Sequence, residues 1–367
     1  MEAESPEEVG YDTIRVNLAE SSCRDRRFGD LGLQLDDLVL LYGDHRGNPE
    51  LRALLAAQAG LGLDACLLTA GAAMALFLVS VTLLGPGEHL VVVRPNYATN
   101  LETPWALQAD VTHIDLRLED GFALDVDRVA AALRPDTRLV SVTTPHNPTG
   151  VEMSRATLDA LIALVERHGC MLLVDETYRD LSHSPLPLAA SLSPRAVSVA
   201  SISKTYGLPG IRVGWAISSH RPLLERMLAA KEQVVLTGSV LDEAIALEVW
   251  RRRPELLPAI LEQAWRHRAL VSHWLEEEAR LEWVKPTGGV VAFPRGRSGA
   301  RIDMGRFYRH LGALGVQVGP GHWFDQDPRH FRIGWGWPTE AELKEGLEAI
   351  TAALDAASSL TLEGAPG

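Results

Sequence analysis

One lysine stands out as a residue that could do chemistry. Lys204 lies in a glycine-rich stretch, beside the hydroxyl residues Ser201 and Ser203, and Arg212 follows eight positions later. A free lysine amine has a pKa of about 10.4, so at neutral pH it is protonated and a poor nucleophile. A reactive lysine therefore needs a site that lowers its pKa, or a carbonyl partner that holds it as a Schiff base.

The neighbours of this lysine are groups that bind phosphate. A guanidinium such as that of Arg212 pairs bidentately with phosphate oxygens, and the hydroxyls of Ser201 and Ser203 donate hydrogen bonds to them. A nucleophilic amine beside a phosphate site predicts pyridoxal 5'-phosphate as the cofactor.

Two further polar positions follow short apolar runs. Asp175 ends the run Met171–Asp175, where a carboxylate could pair with the pyridine nitrogen of that cofactor. Tyr178, three positions on, could donate to the phenolic oxygen of the ring. Asn147 lies between two prolines and could donate to the same oxygen. Taken singly, each has a plainer interpretation as a helix or turn cap, a core tyrosine, or an Asn-Pro turn.

The stretch Ser-Ile-Ser-Lys-Thr-Tyr-Gly-Leu-Pro-Gly-Ile-Arg-Val-Gly, residues 201–214, resembles the lysine motif of fold type I pyridoxal-phosphate enzymes, in the class I/II aminotransferase family. The resemblance extends from about Asn17 to the carboxyl-terminal helix. It implies that Asn147, Asp175 and Tyr178 bind the cofactor together with Lys204 and Arg212, and that the Asn147–Pro148 bond is cis.

The same resemblance assigns residues outside the lysine motif. Gly71, Ala72 and Ala73 match the turn whose backbone N–H groups face the phosphate at a helix amino terminus, although the hydroxyl residue common there is replaced by alanine. Tyr97 matches the aromatic residue that stacks on the ring, and we expect it to act in catalysis beside Lys204 and Asp175. Tyr42 matches the tyrosine that reaches the partner's cofactor, which implies a homodimer.

Substrate binding is predicted from one match and one departure. Arg332 matches the arginine that binds the substrate α-carboxylate, with Asn147 beside it. At Glu20 the chain departs from the glycine-containing loop that covers the substrate in the family. If Glu20, Asp44 or Asp180 faces the pocket, a cationic side chain such as that of arginine is favoured; otherwise these acids are solvated.

A dicarboxylate substrate is less favoured. The segment 234–239, where dicarboxylate-specific members of the family carry a second arginine, is uncharged here. The reaction that the resemblance implies is transfer of the amino group of an L-amino acid to a 2-oxo acid through a Schiff base on Lys204. A lyase, cyclase or oxidase reaction on an arginine-like amino acid stays open, because the same cofactor supports all of them.

The amino-acid composition narrows the classes of molecule that the protein is expected to bind. The 367 residues carry 35 Lys and Arg against 48 Asp and Glu, a net charge of -13, which disfavours nucleic acid as a partner. Cys23, Cys66 and Cys170 are scattered, so neither a metal site nor a disulfide framework is predicted.

The acidic amino terminus is unlike a signal peptide, and we expect a cytoplasmic protein. The apolar segment Leu67–Leu84 contains polar residues and stops at a Gly-Pro-Gly turn, which predicts a buried strand and helix rather than a membrane span.

The elements that must position these residues are short buried strands alternating with helices, which is typical of a parallel sheet with helices outside. We predict a three-layer α/β/α sandwich with a mostly parallel sheet, like that of aspartate aminotransferase, and a smaller α+β domain. The large domain is expected at 29–269; the small domain takes 1–28, with an amino-terminal arm, and 270–367. A charged helical stretch at Leu241–Glu278 is predicted to be interrupted at its prolines and to contain a hinge. Ser359–Gly367 is predicted to be a frayed tail.

The predicted strands are Leu90–Arg94, Leu139–Thr143, Met171–Val174, Val197–Ala200, Val213–Ile217 and Phe331–Ile333, and the predicted helices between and after them are Asp125–Leu133, Ser154–His168 and Glu340–Ala356. Asn147, Asp175 and Lys204 each follow or end one of these strands. Because the carboxyl ends of parallel strands meet at one edge of a sheet, the three side chains are expected to converge.

Overall fold

The structure is a computed structural model that describes residues 4–358. The predicted tail Ser359–Gly367 lies outside these residues. Thirteen strands are formed in the described part of the chain: β1 Val16–Leu18, β2 Cys66–Thr69, β3 His89–Arg94, β4 Asp110–Asp115, β5 Thr137–Thr143, β6 Met171–Asp175, β7 Ala196–Ser201, β8 Gly214–Ile217, β9 Leu281–Glu282, β10 Val291–Ala292, β11 Arg295–Gly296, β12 Val316–Pro320 and β13 Phe331–Gly334.

The helices lie between and after these strands. They are α1 Pro6–Val9, α2 Phe28–Leu31, α3 Pro49–Ala57, α4 Gly71–Leu83, α5 Ala98–Ala106, α6 Val126–Ala132, α7 Arg155–His168, α8 Arg221–Glu232, α9 Val240–Arg251, α10 Arg253–Glu277, α11 Met304–Ala313 and α12 Glu340–Ser358. The predicted helices at Asp125–Leu133, Ser154–His168 and Glu340–Ala356 are confirmed as α6, α7 and α12, with ends that differ by one or two residues.

A seven-stranded sheet forms the centre of the protein, in the order β2-β8-β7-β6-β5-β3-β4. The neighbours β4, β3, β5, β6 and β7 run parallel, and β8 is antiparallel to both β7 and β2. β6, in the middle of the sheet, is buried along its whole length because helices cover both faces. The predicted α/β sandwich with a mostly parallel sheet is confirmed, and β8 is its antiparallel member.

The apolar segment Leu67–Leu84 is divided as the turn signals predict. It forms the buried strand β2 and the helix α4, whose buried side includes Leu76, Leu78 and Val79. Within residues 4–358 no helix has both the length and the apolar composition that crossing a membrane requires.

A second, four-stranded sheet joins the two ends of the chain, in the order β1-β12-β13-β10. β1 pairs in parallel with β12, so Val16 lies opposite Val316. The amino-terminal arm is thereby fixed to carboxyl-terminal elements and is brought beside the large sheet. The division of the chain into 29–269 and the two flanking segments stays a prediction, and its second boundary falls inside the continuous helix α10.

The charged helical stretch is interrupted at a different residue from those predicted. α9 ends at Arg251 and α10 begins at Arg253, so the break lies at Arg252. Pro254 occupies the first turn of α10, where a proline removes no helical hydrogen bond, and Pro258 is accommodated inside the helix. The prediction of breaks at these prolines was wrong: a proline in the first turn, such as Pro254, starts a helix rather than ending it, and α10 continues through Pro258.

Candidate active site

A cavity of about 780 Å³ opens at the carboxyl ends of β5, β6 and β7. One side of it is built by residues that follow or end these strands: Asn147, Asp175, Ser201, Ser203 and Lys204. We call these five residues the sheet wall. Their convergence on one cavity agrees with the expectation from parallel strand ends.

Asp175 is the last residue of β6 and is buried. Its Oδ1 accepts hydrogen bonds from the Thr177 hydroxyl at 2.6 Å and from the Thr177 N–H at 3.1 Å. Burial raises the pKa of Asp175, and the Thr177 bonds and the charge of Lys204 offset part of that rise. A buried carboxylate of this kind is stabilised in its charged form by a cation placed against it.

Lys204 occupies the turn between β7 and β8, and the amino-terminal arm holds that turn in place. The N–H of Cys23 donates to the Lys204 carbonyl at 2.8 Å, and the N–H of Arg26 donates to the Gly207 carbonyl at 2.9 Å. Gly207 has a φ of +61°, and a Cβ there would overlap the backbone of Arg24. The glycine is thus required for the arm to approach the lysine turn so closely.

The proposed phosphate region combines a helix terminus and an arginine. Arg212 donates to the Ser203 hydroxyl at 3.4 Å and to the Pro209 carbonyl at 2.8 Å. Gly71 begins α4 with a φ of +77°, and a Cβ at this position would overlap the Arg212 guanidinium. Ala72 and Ala73, in the first turn of α4, line the cavity, while Gly71 itself lies behind the lining. The guanidinium is therefore seated against the amino terminus of α4, where backbone N–H groups attract an anion.

Two tyrosines and an asparagine complete this region. The Tyr178 hydroxyl donates to Ser21 Oγ at 2.8 Å, and burial raises the pKa of Tyr178. Tyr97 precedes α5 and lines the cavity half-buried. Asn147 lines the cavity next to a cis bond to Pro148, as the resemblance implies.

Arg332, on β13, points into the cavity from the smaller sheet and is only 5% exposed. Its Nη1 donates to Asn147 Oδ1 at 3.0 Å, its Nη2 donates to the Ala19 carbonyl, and the guanidinium lies 4.9 Å from the centre of the Phe324 ring. Its buried Nε has no hydrogen-bond partner within the described part of the chain. A buried guanidinium with an unsatisfied N–H is suited to an anionic ligand.

The opposite side of the cavity comes from the amino-terminal arm. We call Glu7, Tyr11, Glu20, Asp25 and Arg26, all of which line the cavity, the arm wall. The Tyr11 hydroxyl donates to Glu20 Oε1 at 3.0 Å, and Asp25 Oδ2 accepts from the indole of Trp337 at 3.0 Å. Burial and the charges of Glu20, Glu7 and Asp25 together raise the pKa of Tyr11, which keeps its hydroxyl protonated.

Besides Gly71, three residues named from the sequence lie outside the cavity in this chain. Tyr42 is 82% exposed, in the exposed apolar run 39–42. Asp44 accepts from the backbone N–H of Arg46 and does not line the cavity. Asp180 is held by an ion pair with Arg253 at 2.7 Å. Of the three candidate carboxylates, only Glu20 lines the cavity.

The sequence reasoning missed several residues of the cavity. Thr177 stands two positions after Asp175, a spacing typical of a side-chain turn, and could have been found from it. Ser21, Tyr11 and Trp323 line the cavity as well. They had no recognisable signal, because their positions depend on how the arm and the loop after β12 pack.

The cavity fits the predicted cofactor. The Arg212 guanidinium beside the amino terminus of α4 suits a phosphate, and the buried Asp175 suits a protonated pyridine nitrogen. The turn that carries Lys204 lines the same cavity. Arg332 remains available for the carboxylate of a substrate.

Comparison with known families gives one match that covers most of the chain. The family described as "Aminotransferase class I and II" matches residues 23–350. Capreomycidine synthase of Streptomyces vinaceus is 33% identical over 355 residues, which cover 93% of this chain and 90% of that protein. The arginine–pyruvate transaminase of Pseudomonas aeruginosa is 31% identical over 310 residues, which cover 80% of this chain and 77% of that protein.

Solved structures show the same fold. A PLP-dependent aminotransferase from Streptococcus suis superposes with a TM-score of 0.87 at 26% identity, covering 95% of each chain. The PLP-dependent cyclase OrfR superposes with a TM-score of 0.84 at 29% identity, covering 93% of each chain. Proteins named for amino transfer and for cyclisation are thus both similar to this chain.

Proposed function

Since the chain belongs to the class I and II aminotransferase family, and both similar solved structures are named PLP-dependent, we propose that it is an enzyme that transfers the amino group of an L-amino acid to a 2-oxo acid. The observation that carries the proposal is the meeting of Lys204, Asp175 and Arg332 at one cavity. A nucleophilic amine, a buried carboxylate and a buried guanidinium are the groups that this chemistry needs.

Each residue has a separate task in the proposal. Lys204 would carry the cofactor, and Arg212, Ser201, Ser203 and the amino terminus of α4 would hold its phosphate. When bound, the cofactor supplies an electron sink for the bond electrons released at the substrate Cα.

The remaining steps belong to side chains of the chain itself. Asp175 would keep the pyridine nitrogen protonated, while Asn147 and Tyr178 would hydrogen-bond the ring oxygen and Tyr97 would stack on the ring. Arg332, with Asn147 beside it, would hold the substrate carboxylate and so fix which Cα bond faces the cofactor. The Lys204 amine would take the Cα proton as general base and, for amino transfer, would give a proton to the cofactor carbon rather than back to Cα.

The test is a product analysis with the purified holoenzyme. It is incubated with a panel of L-amino acids, each with pyruvate, 2-oxoglutarate or no acceptor, and products are identified by mass. Amino transfer predicts a new 2-oxo acid from the donor and an equal amount of new amino acid from the acceptor. Ammonia, peroxide or a rearranged amino acid formed without an acceptor would reject it.

A second candidate reaction is cyclisation of the amino acid. It is favoured by the 33% identity to capreomycidine synthase over 93% of the chain, and by the similarity to a PLP-dependent cyclase. The same cofactor residues serve both reactions, because cyclisation also begins with loss of a substrate proton. A product that keeps its nitrogen atoms, forms a ring and needs no 2-oxo acid would identify this alternative.

We also propose a homodimer to which Tyr42 contributes across the interface. The run Val39, Leu40, Leu41 and Tyr42 is 59–82% exposed, and a contiguous apolar surface of this kind favours a protein partner. Sedimentation velocity of the wild type and of Tyr42→Asp tests this: a wild-type monomer would contradict it. The cytoplasmic location expected from the sequence stays a prediction.

A further inference from the structure

The two walls of the cavity differ in charge once the cofactor tasks are assigned. Lys204, Arg212 and Arg332 are committed to the cofactor and to the substrate carboxylate, and Asp175 to the pyridine nitrogen. The arm wall then presents the carboxylates Glu7, Glu20 and Asp25 against one guanidinium. The part of the cavity that is left for a substrate side chain is therefore acidic.

The single guanidinium of the arm wall is turned toward the lysine turn. Arg26 donates from Nε to the Tyr206 carbonyl at 3.1 Å and from its backbone N–H to the Gly207 carbonyl. It holds the backbone next to Lys204, which leaves the carboxylates to dominate the substrate side of this wall.

Glu20 is placed next to the anchor for the substrate carboxylate. Arg332 donates to the carbonyl of Ala19, and Asn17 Oδ1 accepts from the N–H groups of both Ala19 and Glu20, at 3.0 and 3.3 Å. The side chain of Glu20 thus begins one residue from the carbonyl that Arg332 holds. A substrate held by its carboxylate on Arg332 would bring a long side chain within reach of Glu20.

Tyr11 fixes the direction of that carboxylate. Its hydroxyl donates to Glu20 Oε1 at 3.0 Å, and a carboxylate accepts several hydrogen bonds, so Glu20 keeps acceptor capacity for a ligand. Carboxylate oxygens oriented by a neighbour match the planar fork of a guanidinium, which pairs bidentately with carboxylates.

We propose that Glu20, oriented by Tyr11 and supported by the charge of Glu7 and Asp25, selects a substrate whose side chain ends in a guanidinium. The proposal rests on the proposed function in taking Arg332 as the anchor of the substrate carboxylate. It names the side-chain class of the amino acid, and it holds for amino transfer and for cyclisation alike, because both bind the substrate before the reactions diverge.

The experiment compares arginine with citrulline, which has the same length and a neutral urea in place of the guanidinium. Binding to the wild-type holoenzyme is followed by titration of the cofactor absorbance, and kcat/KM is measured where product forms. Arginine is expected to be favoured by about 10- to 100-fold in the wild type, the effect of one charge-assisted hydrogen-bonded pair.

The Glu20→Gln holoenzyme should lose most of this preference, because the amide keeps the size of the side chain and removes its charge. Glu20→Asp should retain part of it. Glu8→Gln is the matched control: Glu8 lies in α1 beside Glu7 but does not line the cavity, and the preference should be unchanged. Circular dichroism and cofactor content of each variant check that the protein is folded.

The outcomes separate the two proposals. Equal binding of arginine and citrulline to the wild type, a preference kept in Glu20→Gln, or tightest binding of aspartate or glutamate through Arg26 would overturn the role of Glu20. A spectral preference for arginine that Glu20→Gln abolishes would support that role even if no amino transfer occurs, and in that case only the proposed reaction would be rejected.

Discussion

The two walls of the cavity are built in different ways. The sheet wall, Asn147, Asp175, Ser201, Ser203 and Lys204, lies at the ends of buried parallel strands whose ladders fix the backbone. The arm wall, Glu7, Tyr11, Glu20, Asp25 and Arg26, comes from a four-residue helix, a three-residue turn and loops. Tyr11 is 43% exposed, whereas Asp175 is 6% exposed.

This difference points to separate roles for the two walls. A buried strand end places a charged side chain reproducibly, so the sheet wall is suited to a cofactor whose requirements do not change. The arm-wall residues lie outside the strand ladders, so their side chains can change without disturbing the sheet. We infer that the sheet wall supports the chemistry and that the arm wall selects the substrate.

The largest effect should follow removal of the amine from the sheet wall. Lys204→Ala is expected to lower turnover by at least about 10³-fold, because in the proposed function the same amine carries the cofactor and moves the Cα proton. Arg212 and α4 should still hold the cofactor phosphate, so cofactor should co-purify. Borohydride reduction should label the wild type at Lys204. The control is Lys344→Ala, at an exposed lysine paired with Glu340, which should leave turnover unchanged. Substantial turnover by Lys204→Ala would contradict the proposed role of Lys204.

Removal of the buried guanidinium should have the next largest effect. Arg332→Ala is expected to lower kcat/KM by about 10²- to 10³-fold, because it removes the proposed desolvated partner of the substrate carboxylate and leaves Asn147 Oδ1 without its donor. The affinity for amino-acid substrates should fall by more than the affinity for free pyridoxal phosphate, which is the control for cofactor binding. Arg329→Ala, at a partly exposed arginine paired with Asp327, is the matched control. An unchanged kcat/KM in Arg332→Ala would rule out its role as the carboxylate anchor.

The residue that follows Asp175 should make the stability of the fold depend on pH. Glu176 follows Asp175 and is buried; its Oε1 accepts from the Ala189 N–H at 3.2 Å, and its Oε2 finds no hydrogen-bond partner among residues 4–358. Burial raises the pKa of Glu176 to about 7. The protonated form stabilises the fold below the unfolded pKa of about 4.3, and that contribution is lost as the pH rises to about 7.

Glu176→Gln should remove this dependence. Relative to the wild type, the variant should gain about 3 kcal/mol in unfolding free energy between pH 4.5 and pH 8. Urea denaturation of both proteins at the two pH values, at the same saturating cofactor concentration, measures the difference. Glu8→Gln, at an exposed carboxylate, should show no such change. An equal stability difference at both pH values would show that Glu176 is ionised throughout.

The sheet wall could be predicted from the sequence and the arm wall largely could not. Short apolar runs ending in polar residues indicated both the strands and the side chains at their ends, as for β6 and Asp175. The pairing of β1 with β12 joins residues about 300 positions apart and left no local pattern. The contact between Tyr11 and Glu20 joins residues on either side of β1, and no local pattern in the sequence indicated it.

Asp180 illustrates a second limit. Its place in the sequence, five residues after Asp175 and three before His183, gave no indication of where its side chain points. In the structure it accepts from the Tyr206 hydroxyl at 2.6 Å and pairs with Arg253, because a nearly buried carboxylate is stabilised by a nearby cation. Arg253 lies far along the chain, at the start of α10, and only the packing of that helix brings it there.

The smallest expected effect concerns the arm wall itself. Tyr11→Phe keeps the ring and removes the hydroxyl that donates to Glu20 Oε1 at 3.0 Å. Because a hydrogen bond of this kind contributes about 0.5–1.5 kcal/mol, the KM for arginine should rise about 2- to 10-fold while kcat stays nearly constant. The KM for citrulline should change less, since its urea does not need an oriented carboxylate. Steady-state kinetics with both substrates, and with Asp12→Asn as the neighbouring control, measure this. A lower KM for arginine in Tyr11→Phe would mean that Tyr11 competes with the substrate for Glu20 instead of orienting it, and the arm wall would then select its substrate through charge alone.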